Sequence, residues 1–113
     1  MLKVAKILEA GGAAPYQCVA VTECGHGIYL RYRFGNLRVG FLKDNQIYPD
    51  EFFYSSKIGN PLDGCGDNEA FRAALAGIIE FPEDFTFDSS NEINLLDNRE
   101  GQGLYWKQFL ENN

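Results

Sequence analysis

No run in this sequence reaches the roughly eighteen apolar residues that cross a membrane as a helix. The N-terminal stretch MLKVAKILEAGGAAP has a positive start, but its apolar run is too broken for a signal peptide. A cytoplasmic protein with no membrane partner is therefore expected. Low-complexity tracts, internal repeats and Ser/Gly/Pro linkers are also lacking, so residues 1–113 read as a single domain. Histidine, which carries much of general acid–base catalysis and metal ligation, occurs once, at His26. Cysteine occurs three times, an odd number that cannot pair fully within one chain, which fits reduced thiols.

These scarcities remove several functions. Cys18, Cys24, His26 and Cys65 would numerically make one Cys3His zinc site, but no C-x2-C turn supplies two ligands together, and a strand separates Cys18 from Cys24. Zinc binding is kept only as the weakest alternative, and no metal or cofactor is expected. A Cys24/His26 dyad places nucleophile and base two residues apart on extended chain, side by side rather than in line. DGCGDNE, from Asp63 to Glu69, begins like a calcium loop, yet Cys65 stands where Asp or Asn is needed, and Asn68 where glycine is. No catalytic residue is assigned, and the expectation is a protein that is not an enzyme.

What remains is ordinary globular material with abundant rings: 45% hydrophobic, 23% charged and 14% aromatic, which argues for a packed core. A chain of 113 residues can bury roughly two thirds of its unfolded surface. The net charge of −6 is uneven. Residues 1–50 hold six Lys or Arg against four Asp or Glu, a net +2, while residues 51–113 hold four against twelve, a net −8.

Up to about Lys43 the apolar residues alternate, which reads as strands. LKVAKIL leans to a strand, although Gly11-Gly12 would also stop a short helix. Tyr16–Thr22 is a firmer strand, and Ile28–Phe34 with Leu37–Lys43 completes a meander. Residues 48–65 read as an irregular connection with one helical turn around DEFFYSS. DNEAFRAALAGIIEFP offers Asp67 as N-cap, Glu69 in the first turn, and Phe71, Leu75, Ile78 and Ile79 on one face before Pro82. A helix from Asn68 to Glu80 is expected. DFTFD reads as a short strand, EINLLD as a helical turn or strand, and LYWKQFLENN as a terminal helix, with a strand as its alternative.

The fold class expected is α+β: an antiparallel sheet of about four strands in a meander, one main amphipathic helix packed on it, and a C-terminal helix beside them. Within the meander, Gly35-Asn36 marks a two-residue turn that sets Arg33 opposite Arg38 and Arg31 opposite Gly40. Parity then separates two faces. Ile28, Leu30, Tyr32, Phe34, Leu37, Val39 and Phe41 share one; Tyr29, Arg31, Arg33, Arg38 and Leu42 share the other. Like charges directly opposite cost up to about 1 kcal/mol unless an anion lies between them. That anion could be an internal carboxylate, an acidic protein, or nucleic acid, which the net charge of −6 disfavours.

A second candidate surface is the run of carboxylates Glu80, Glu83, Asp84 and Asp88, joined by Glu92, Asp97 and Glu100, whose bland reading is a solvated rim. The functional expectation is a small acidic protein-binding domain of inhibitor or adaptor type, acting by charge complementarity and able to block a nucleic-acid-handling protein. Its candidate binding residues are Tyr29, Arg31, Arg33, Arg38, Glu83, Asp84 and Asp88. The alternative is a nucleic-acid-binding module on the Arg/Tyr face.

Overall fold

The computed structural model describes residues 1–96 and 105–111. Its elements are β1 (Leu2–Gly11), β2 (Tyr16–Thr22), β3 (Gly27–Arg33), β4 (Asn36–Leu42), β5 (Tyr54–Lys57), α1 (Asn68–Leu75), β6 (Ile79–Glu80), β7 (Ile93–Asn94) and α2 (Trp106–Glu111). Instead of a four-stranded meander under one main helix, the strands form one seven-stranded mixed sheet in the order β5-β4-β3-β2-β1-β6, with β7 also pairing β1. It curls into a half-barrel, and both helices are short. No helix among the described residues is long and apolar enough to cross a membrane.

LKVAKIL is a strand, as expected, within β1, and the first correction concerns what pairs with it. It pairs β2 along one side, and its other side is shared by β6, parallel at Leu2 and Lys3, and β7, antiparallel at Glu9 and Ala10. Register irregularities between Val4 and Lys6 and between Ile7 and Glu9 leave Ala5 and Leu8 as extra residues. Each bulge shifts the side-chain alternation by one. Val4, Ile7 and Ala10, three apart, therefore all enter the main core, while Leu8 joins the smaller core on the other face.

The second concerns the helix. Asp67 caps it as expected, its side chain accepting from the Ala70 N–H at 3.2 Å, and Phe71 and Leu75 are its buried residues. It ends at Leu75, not Glu80, because Gly77 turns to φ +79 and the β-branched pair Ile78-Ile79 leaves the helix. Ile79 still reaches the core, but as a strand residue beside Leu2. DEFFYSS supplies the start of β5 rather than a helical turn, and DFTFD is irregular chain. EINLLD carries β7, while its Asp97 lies outside the described residues.

The two faces of the sheet bury different things. On one, Phe71 of α1 meets Tyr16, Tyr32 and Phe87 edge-on or tilted, at ring separations of 5.6, 4.9 and 5.3 Å. Arg72, also on α1, donates to the carbonyls of Phe81, Pro82 and Phe85 and to the Asn68 side chain, so its charge holds the irregular chain after β6. On the other face, Leu8, Val19, Val21, Tyr29, Leu42 and Leu96 gather around Trp106 of α2.

Candidate functional site

The third correction is the hairpin. Its turn residues are Phe34 and Gly35, with φ +57 and +75, and β3 pairs β4 with Arg33 opposite Asn36, Arg31 opposite Arg38 and Tyr29 opposite Gly40. Positive φ at both central positions is the type I′ signature. Gly35 is held there by more than the turn. Its N–H donates to the Asp63 carbonyl at 2.9 Å, its own carbonyl accepts from Ile58 and Gly59, and an added Cβ would collide with the Gly59 carbonyl. The register thus moves by two residues from the expected one and keeps parity. Arg31, Arg33 and Arg38 do share a face, but the like charges set directly opposite are Arg31 and Arg38.

Phe34, expected on the apolar face, sits in the turn and is 59% exposed; Phe41 keeps its side but stacks on Phe53 near the surface, ring centres 4.7 Å apart. Tyr29 lies on the arginine face as expected, yet it is only 3% exposed. The chain between β4 and β5 covers it, with Tyr48 at 5.3 Å and Phe52 at 6.5 Å from its ring. Burial pushes its hydroxyl above the ordinary tyrosine range, while the neighbouring Arg31 pulls the other way.

The same covering segment meets the arginines. Arg31 lies over the Tyr48 ring at 5.8 Å, Arg38 over Phe52 at 5.8 Å, and Arg33 over Phe34 at 4.7 Å. The ion pairs among the described residues are Lys3–Glu80 and Lys43–Asp50, so none uses these arginines. Arg33 also keeps its Nε buried without a hydrogen-bond partner. Arg31, Arg33 and Arg38 line a surface cavity of about 240 Å³, together with Phe34, Asn36 and Tyr48. Asn36, Tyr48 and Phe34 are additions that periodicity could not supply: Tyr48 comes from a connection without pattern, and Phe34 and Asn36 changed place with the turn.

A larger cavity of about 530 Å³ opens farther along this face, where Tyr29 and Val19 meet Tyr105 and Trp106. Glu83, Asp84 and Asp88 are exposed on the irregular chain that Arg72 holds, beyond the β1 side of the sheet, and do not join the arginine site. Hydrogen bonds from the Ser90 N–H and hydroxyl hold the Asp88 carboxyl below its usual range. Asp97 and Glu100 lie outside the described residues. Cys18 is buried in the main core, Cys24 and Cys65 are exposed, and no group of three or more His, Cys, Asp or Glu among the described residues is placed to hold a metal. Comparison with family models, curated proteins and solved structures finds no match to this chain.

Proposed function

We propose that this chain is a small non-enzymatic binding domain that holds an acidic segment of a protein partner against Arg31, Arg33 and Arg38, in the manner of an inhibitor or adaptor. The observation that carries the reading is that no ion pair among the described residues uses these arginines. A chain with sixteen Asp or Glu residues leaves three guanidinium groups on one face out of every ion pair formed among its described residues. Contacts with the Tyr48 and Phe52 rings steady the Arg31 and Arg38 side chains on this face. That arrangement favours carboxylate-rich ligands, since guanidinium binds carboxylates in bidentate fashion.

The test is a capture assay with two variants. Arg31→Glu/Arg33→Glu/Arg38→Glu should abolish retention of an acidic partner from the native host while leaving the far-UV dichroism unchanged. Glu83→Lys/Asp84→Lys/Asp88→Lys probes the carboxylate surface and leaves retention intact if the arginine face does the holding. Full retention by the arginine variant would overturn the proposal. A second reading, nucleic acid on the same face, draws support from Phe34 and Tyr48, two exposed rings beside the guanidinium groups. A gel shift with mixed oligonucleotides at low salt decides it, and the net charge of −6 weighs against it.

A further inference from the structure

We infer that the arginine cavity is an oxyanion site suited to a phosphate monoester, and that the segment held there carries a phosphorylated side chain. The inference rests on the reading of the arginine face given above and names its ligand more narrowly.

Charge is the first argument. Arg31 and Arg38 are directly cross-strand, and Arg33 stands diagonally to Arg38 beside the turn, so three like charges converge on about 240 Å³. One carboxylate brings a single charge and two oxygens. A phosphate monoester brings about −1.5 to −2 and three acceptor oxygens, enough to bridge the cross-strand pair and still reach a third guanidinium.

The second argument is the orphan donor. Arg33 Nε is buried and has no hydrogen-bond partner. That N–H is sealed from solvent in the free protein, so an acceptor reaches it only as the Arg33 side chain turns toward the cavity, and the bond then formed is one the free protein lacks. Asn36, also on the cavity wall, offers an amide to the same anion.

The third argument separates a phosphorylated side chain from a nucleic-acid strand. The charged residues on the cavity wall are these three arginines, so a single phosphate finds its counter-charge there, while successive backbone phosphates would leave it for a chain that is acidic overall at −6. The walls suit a peptide instead. Phe34 holds its exposed ring at the rim from a left-handed backbone conformation that bulky residues seldom adopt, and Tyr48 stands 45% exposed beside it. Apolar residues flanking a phosphoserine could lie on both rings.

The experiment is fluorescence anisotropy at about 150 mM salt, where the Debye length is about 8 Å. Its probes are one short acidic peptide with a central phosphoserine, the same peptide with Glu or Ser at that position, and a mixed-sequence single-stranded oligonucleotide. The phosphopeptide should bind about tenfold or more tighter than the Glu peptide, and inorganic phosphate should compete. In a nitrogen-15 spectrum, inorganic phosphate should shift the Arg33 Nε–H resonance. Arg33→Lys keeps the charge but lacks that donor, so it should erase most of the preference for phosphoserine over Glu while leaving Glu-peptide binding nearly unchanged. Arg38→Ala, at an exposed position, is the second variant and should weaken both. Equal affinity for phosphoserine and Glu peptides overturns the phosphate inference and leaves the acidic-segment reading standing. Binding of the oligonucleotide alone overturns both in favour of nucleic acid, and no binding of any probe overturns both outright.

Discussion

Tyr16 and Phe71 are in ring contact and fully buried, but burial favours only one of them. Phe71 touches Tyr16, Tyr32 and Phe87, so Phe71→Ala should cost about 3–5 kcal/mol by urea unfolding, a large part of a small domain's stability. Tyr16 buries a hydroxyl that has no hydrogen-bond partner, and burial, with Cys18 and Asp88 behind it, pushes its ionisation far above the ordinary tyrosine range. Tyr16→Phe should therefore be neutral or stabilise by up to about 1 kcal/mol; a loss of that size would reveal a partner for the hydroxyl. Thiol chemistry gives a third check. Cys18 is inside and its thiol is pushed up by burial and by Glu9, whereas Cys24 and Cys65 are exposed, so a native-state thiol titration should show two fast groups and one slow one. Phe71 and Leu75 were legible as core residues because their spacing places them on one face of the helix. The burial of Tyr29 was not, because alternation assigns a face and says nothing of what covers it.

Among the elements, α2 depends most on a single glycine. A Cβ on Gly27 would stand 2.5 Å from the Trp106 ring, which donates its Nε1–H to the Lys43 carbonyl at 3.0 Å. Gly27→Ala should lift the helix, and since Trp106 is the chain's one tryptophan, its emission reports this directly. The expected result is a red shift with the far-UV strand signal kept; an unmoved emission maximum would mean that α2 docks by its other contacts, such as Lys6 over the Phe109 ring. The Tyr105/Phe109 and Trp106/Leu110 spacing made this helix readable. β2 was readable too, being a regular run of Val, Cys and Ala between turns. β1 was ambiguous for a physical reason: its two bulges turn a period of two into spacings of three, which in sequence looks like a helix face. β6 and β7, two residues each, carry too few side chains for any period and are fixed only by pairing with β1.

Across the whole molecule the candidate site is a local exception to the global charge. Its face assignment was legible, because parity survives a two-residue slip of the hairpin. The covering rings, the cavity and the lack of an ion pair to these arginines among the described residues were not, since they depend on where the chain between β4 and β5 lies and where the acidic half of the sequence goes. Glu80 on β6 is four strand spacings from β4, about 19 Å along the curved sheet, and Glu83 and Asp84 follow it. That distance exceeds the Debye length of about 10 Å at 0.1 M salt and is shorter than the roughly 30 Å at 0.01 M. An acidic peptide approaching at 0.1 M therefore meets the arginines with the far carboxylates screened, but at 0.01 M it also meets the net charge of −6. Its affinity should pass through a maximum between those salt concentrations, then fall as added salt screens the arginines themselves. Glu83→Lys/Asp84→Lys/Asp88→Lys makes the chain neutral overall and should remove the low-salt decline without moving the high-salt limb. Affinity that rises steadily down to 0.01 M in the parent chain would show that the far carboxylates do not reach the arginine face.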